Sequence, residues 1–168
     1  HNIDIMWIGV MIGEATPLMW RGPMVPSAFV QLLQDVAWEG LETLILDMPP
    51  GTGDVQLTMS QRVPLAGAII VSTPQDIALI DARKGIEMFK KVNVPIKGLI
   101  ENMSYYCCPQ CGYQDDVFGR GGAKVEAEAL GLPFLGEIPL NAEIRAAADK
   151  GEPSAEFYKD IIQGLTRS

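Results

Sequence analysis

A chain of 168 residues, 48% hydrophobic and 20% charged, is long enough to bury a core and has an ordinary globular composition. Its net charge of −8 comes without a basic stripe, which argues against a nucleic-acid partner. No apolar run reaches the roughly eighteen residues of a membrane span, so no membrane partner is expected.

Three cysteines, two of them adjacent, do not make a disulfide framework, and the first residues lack the basic and apolar regions of a signal peptide. The expected setting is reducing: the cytoplasm, or the mitochondrial matrix in a eukaryote. The chain opens on His1 rather than Met and runs straight into strand-like sequence. Such a start suggests that a preceding segment is missing.

Ile3–Ile12 reads as a strand and Glu14–Pro17 as a turn. Trp20–Met24 is a loop leading into a helix, with Pro26 and Ser27 in its first turn and Phe29, Leu32, Leu33 and Val36 at helical spacing. Leu41–Asp47 is an apolar strand that ends on a carboxylate. Pro49 and Pro50 stiffen its exit, and Gly51 and Gly53 let the backbone come close to a ligand. A carboxylate at a strand tip can hold Mg²⁺ through water, and a glycine N–H just beyond it can meet a terminal phosphate oxygen. The plainer alternative is a buried strand followed by a Pro/Gly turn.

Val55–Arg62 is a short helix, and Ala66–Ser72 a strand. Thr73 caps and Pro74 begins a helix that runs to about Val92, with Ile77, Ile80, Ile86 and Phe89 as its inner face. Pro95–Asn102 is a strand, 105–122 a loop rich in Cys, Gly and Asp, and Ala123–Leu130 a helix closed by Gly131. Phe134–Ile138 is a strand, Asn141–Lys150 a helix stopped by Gly151 and Pro153, and Ser154–Leu165 a last helix with Phe157, Ile161 and Leu165 on one face.

Strands alternate with helices, and the strands are continuous apolar runs, as expected where both faces are covered. The fold class is therefore α/β: a doubly wound, mostly parallel sheet with helices on both faces, forming a single domain over residues 1–168. Ligands in such sheets bind beyond the carboxyl ends of the strands, where Asp47, Thr73, Asn102 and Pro139 are expected.

Cys108-Pro109-Gln110-Cys111, followed by Gly112, is a second constellation. Two cysteines in such a turn can offer both thiolates to one soft metal. A redox pair, half of a zinc site and an iron–sulfur site all remain open on the residues alone. A tetrathiolate zinc or a [4Fe–4S] cluster needs about four thiolates. Cys107 adjoins Cys108 and is poorly placed to aim at the same centre. Two usable thiolates per chain imply a site shared across a twofold axis, in a homodimer or a heterodimer with a similar chain.

In this order the two constellations resemble one family, the Mrp-type (ApbC-like) P-loop ATPases that carry iron–sulfur clusters, relatives of the MinD and ParA ATPases. The resemblance rests on Trp20–Met24, Asp47–Asp54, Thr73–Asp76, Glu101–Ser104, Cys108-x-x-Cys111-Gly112, Phe118-Gly119 and Leu135–Leu140, which together span nearly the whole chain. It implies a P-loop NTPase fold that binds ATP and Mg²⁺. Asp47 would be the Walker B carboxylate near Mg²⁺ and the catalytic residue. Gly51 and Thr52 would lie in the γ-phosphate switch, Asn102 would read the adenine edge, and Pro139 would flank the base. Cys108 and Cys111 would bind a [4Fe–4S] cluster across a dimer, for transfer to apo iron–sulfur proteins. No role is assigned to Arg21.

One departure is large. The family's lysine-bearing phosphate loop, G-K-G-G-x-G-K-[ST], does not occur in this chain. The intact protein is expected to be an ATPase, whereas these 168 residues alone are expected to bind ATP poorly and not to hydrolyse it. The region after Pro153 also looks shorter than the family's usual connection. The rival reading is a non-catalytic scaffold dimer bridged by zinc or iron–sulfur. A positioning ATPase of the MinD/ParA kind would call for a membrane-binding tail or a basic face, and Ser154–Ser168 is too mixed in character to supply one.

Overall fold

A computed structural model describes residues 3–6, 24–48, 51, 53–152 and 155–166. The chain divides into two compact units, His1–Pro64 and Leu65–Ser168.

In the first unit, helix α1 spans Met24–Gln34 and α2 spans Asp54–Arg62. Residues 41–47, expected as a buried strand, form no ladder with any described residue. Leu41, Leu44 and Ile45 are exposed, Ile45 by 87%. A strand read as buried on both faces needs a partner on each side, and the described residues supply none. Residues 3–6 of the expected first strand are likewise unpaired among the described residues, with 3–5 exposed, and the rest of that stretch lies outside the described residues.

The second unit is a four-stranded sheet. Strand β1 is Ala68–Ser72, β2 Ile96–Cys107, β3 Gln114–Asp115 and β4 Phe134–Leu140. β2 pairs in parallel with β1 on one side and β4 on the other, and its far end pairs antiparallel with β3. Between the strands come α3 (Asp76–Lys91) and α4 (Gly122–Leu130), followed by α5 (Ala142–Asp149), a 3-10 turn at Ala155–Tyr158 and α6 (Lys159–Thr166). α3 lies against β1, α4 against β2 and α6 against β4.

Adjacent strand residues face opposite sides. On one side Ile100, Leu135 and Ile161 pack together with Ile138 and Leu165. Leu99, the neighbour of Ile100 on β2, is fully buried, as is Ile86 of α3. Gly98 permits a close approach: its φ is +154°, and a Cβ there would sit 2.6 Å from the Leu135 side chain and 2.8 Å from the Pro133 carbonyl.

Several boundaries differ from the sequence reading. α3 begins at Asp76 with Gln75 as its cap residue, because the Thr73 hydroxyl donates to the Gln75 side chain instead of capping the helix. Its inner face is Leu79, Ala82, Ile86, Met88 and Phe89, while Ile77 and Ile80 are exposed. β1 buries Ala68, Ile70 and Ser72 but leaves Ile69 and Val71 exposed, so it is covered on one face among the described residues. No helix among the described residues is long and apolar enough to cross a membrane.

Candidate functional site

β1 stops at Ser72, opposite Glu101 of β2. One residue later the pairing of β2 with β4 also breaks. Asn102 stands opposite Ile138, but the next aligned pair is Tyr106 with Leu140. Three residues of β2 thus face one of β4, an irregularity that bends the strand. Met103 takes φ +56° there, unusual for a residue with a side chain.

Asn102 stabilises that kink by accepting a hydrogen bond from the Met103 N–H through its Oδ1 (3.0 Å). Its amide NH₂ is then the group it can offer to a base edge. Pro139 sits beside it, inside β4 rather than in a loop. The broken register asks for no N–H at that position, so a proline fits. The sequence placed Asn102 at the end of its strand. β2 in fact continues to Cys107, but its pairing with β1 ends at Glu101 and its pairing with β4 is interrupted after Asn102, so Asn102 and Pro139 both lie at that interruption.

Beyond the kink, β2 and β3 form a small hairpin through Tyr106–Asp115 and Cys107–Gln114. The segment expected as an irregular loop is thus partly strand. Its tip is closed by Cys108 N–H donating to Tyr113 O and Gly112 N–H donating to Cys108 O, both at 2.9 Å. Gly112 takes φ +71°, the left-handed turn that glycine accepts without cost.

The same turn prepares the sulfur chemistry. The backbone N–H groups of Gln110 and then Cys111 donate to the Cys108 sulfur, the Cys111 thiol adds a further hydrogen bond, and together they lower the Cys108 thiol pKa below its ordinary value of 9.0. Donors aimed at a sulfur favour thiolate, the form that binds soft metals. Cys111 is exposed. Cys107 is half-buried and directs its thiol to the Gly112 carbonyl at 3.9 Å. Among the described residues, no three of His, Cys, Asp and Glu are grouped to hold one ion.

Behind the rim lies a carboxylate that carries no role in the sequence analysis. Glu101 is fully buried. Its Oε1 accepts from Ser104 Oγ (2.5 Å) and Gly121 N–H (2.7 Å), and its Oε2 accepts from Ala123 N–H (2.7 Å). α4 begins after Gly121, which has no side chain to cap it, so Glu101 supplies the cap from β2. The visible signal was a glutamate closing an apolar run; its partners, backbone amides about twenty residues on, carry no sequence signature.

In the first unit, Asp47 is exposed at the end of the unpaired segment, and Gly51 has φ +100°. Thr52 and Arg21 lie outside the described residues. The second unit brings Asn102 beside Pro139 and Cys108 beside Cys111.

Comparison with known proteins places this geometry in a family. A family model described as ParA, NUBPL iron-transfer P-loop NTPase, matches residues 1–165. The chain is 50% identical over 155 residues to an iron–sulfur cluster carrier protein of Pseudomonas fragi, covering 92% of this chain and 54% of that protein. It is 54% identical over 153 residues to the iron–sulfur cluster transfer protein NUBPL of Mus musculus, covering 91% of this chain and 48% of that one. A solved nucleotide-binding protein from Archaeoglobus fulgidus, in complex with ADP, is similar with a TM-score of 0.69 and 36% identity, over 77% of this chain and 53% of its own. The chain spans about half the length of the curated relatives it matches.

Proposed function

This chain belongs to the NUBPL iron-transfer P-loop NTPase (ParA) family, and on that premise we propose that it is part of an ATP-dependent iron–sulfur cluster carrier. The cargo is a [4Fe–4S] cluster held by Cys108 and Cys111 of two chains and passed to apo iron–sulfur proteins. The observation that carries this reading is the turn at Cys108–Gly112, whose backbone amides favour thiolate on a pair of cysteines with no third ligand grouped beside them among the described residues. Two thiolates leave a four-thiolate cluster half-ligated, and a second copy, or a similar chain, completes the set.

The nucleotide reading rests on the rim. Asn102 fits a base edge as a donor because Met103 N–H already occupies its oxygen. Pro139 offers a flat apolar neighbour for the base. Asp47 would hold Mg²⁺ through water, while the bare N–H of Gly51, with Thr52 beside it, would face the terminal phosphate. Bound Mg²⁺ would neutralise phosphate charge. The protein would act in the cytoplasm or the mitochondrial matrix.

Anaerobic reconstitution with iron and sulfide, followed by incubation with an apo-ferredoxin, tests the carrier reading. It expects a brown species that depends on Cys108 and Cys111 and loses its cluster to the acceptor. Zinc uptake without iron uptake would support the second reading, a non-catalytic scaffold dimer. Two thiolates on each of two chains also make a tetrathiolate zinc site, and this is what favours that alternative.

A further inference from the structure

The cysteine hairpin needs a strut. β3 has two residues and pairs with the end of β2 alone, and a two-residue ladder is marginal in water. Residues 112–120 are exposed, so little packing steadies the turn that carries the thiolates.

Arg120 meets three strands at once. Its Nη1 donates to Gln114 Oε1 of β3 at 3.2 Å. Its Nε and Nη2 donate to Glu137 Oε2 of β4 at 3.2 and 2.8 Å. The guanidinium lies over the Tyr105 ring of β2, 4.3 Å from its centroid. Asp116 stands 4.0 Å from Nη1. The next residue anchors the base of this strut, because Gly121 N–H donates to the buried Glu101. A forked, planar cation can bond two strands and stack on a third; a lysine cannot.

We infer that Arg120 is a positioning residue: through Glu137 and Gln114 it fixes the hairpin on the sheet and so sets how firmly Cys108 and Cys111 hold a soft metal. The inference rests on the reading of that pair as metal ligands, and it names what governs metal retention at their site.

The test uses the whole chain, reduced and loaded anaerobically with Co²⁺, and follows loss of the thiolate–cobalt absorption after a chelator is added. Arg120→Ala should release Co²⁺ about tenfold faster than the parent, the lower end of the scale expected for losing an outer partner of a metal site. Glu137→Gln should act in the same direction, and the double variant should be no faster than Arg120→Ala, because both act through one pair. The urea midpoint should stay unchanged, since Arg120 is a surface residue, whereas amide exchange at Cys108 and Gly112 should quicken. Release by Arg120→Ala within about twofold of the parent, or effects of the two single changes that multiply in the double, would overturn the inference. Should Cys108→Ser with Cys111→Ser bind Co²⁺ as the parent does, the metal reading has failed. Amide exchange then decides the strut by itself: unchanged rates at Cys108 and Gly112 overturn it, and faster rates uphold it.

Discussion

Glu101 and Ala123 are 22 residues apart in sequence, yet the Glu101 carboxylate accepts the Ala123 backbone N–H at 2.7 Å in the buried interior. This contact joins the rim of the sheet to the return end of the cysteine segment. Asn102 follows Glu101 directly, and Gly121, the carboxylate's other backbone partner, follows Arg120. The core of the second unit thus fixes both the strand that would read a base and the loop that would hold a metal.

Glu101→Ala should destabilise the second unit by about 3 kcal/mol, because it leaves two amides and a hydroxyl without their acceptor in the buried interior. Glu101→Gln keeps one acceptor oxygen and should cost less. Urea unfolding followed by circular dichroism measures both.

Gly98→Ala should cost about 3 kcal/mol or more, since the added methyl would meet the Pro133 carbonyl at 2.8 Å and the backbone takes a φ that side chains resist. The Leu135 side chain could turn aside, but the carbonyl could not. The same urea experiment checks this, and a loss near zero would show that β2 and β4 are farther apart than described.

Acid should weaken the join between α3 and α4. Arg83 Nη2 lies 2.5 Å from the buried Glu126 Oε2, and that hydrogen bond is the main reason the Glu126 carboxyl titrates below its ordinary value of 4.5. A depressed folded pKa means the contribution is complete above the unfolded value and fades as pH falls through the folded one. The gap in urea midpoint between the parent and Glu126→Gln should hold steady from pH 8 to about pH 5 and shrink below about pH 4.5. Arg83 is mostly exposed, so the gap should also narrow in high salt.

The 168-residue chain alone should release no phosphate from Mg²⁺–ATP above background, because its sequence carries no lysine-bearing phosphate loop. A malachite-green assay across a range of protein concentrations is enough. Turnover that scales with protein and vanishes in Asp47→Asn would prove the expectation wrong.

Much of the second unit was legible because its local signals agree. Gly131 ends α4 in the left-handed conformation, and Asn141 caps α5 by accepting from Glu143 N–H, as their residue types suggest. The Cys108–Gly112 turn was legible for the same reason. What failed was decided at longer range. Ile77 and Ile80 fit a helical stripe as well as Leu79 and Ala82 do, and periodicity cannot choose between two apolar faces of one helix. Asn102 and Ser104 look like the start of a loop, yet pairing with β4 and β3 resumes at Tyr106 and carries β2 to Cys107. The 41–47 stretch has strand composition, but composition brings no partner strand. Arg120 and Glu137 look like ordinary surface charges until the fold brings them to 2.8 Å.

The shared thiolate site is tested most directly by native mass spectrometry of the chain reconstituted anaerobically with iron and sulfide. The expected species is two chains with one [4Fe–4S] cluster, lost when Cys108 and Cys111 are both changed to alanine while the fold, and its unfolding free energy to within about 0.5 kcal/mol, is kept. A cluster carried by one chain alone, or full iron retained by the double alanine variant, would contradict it.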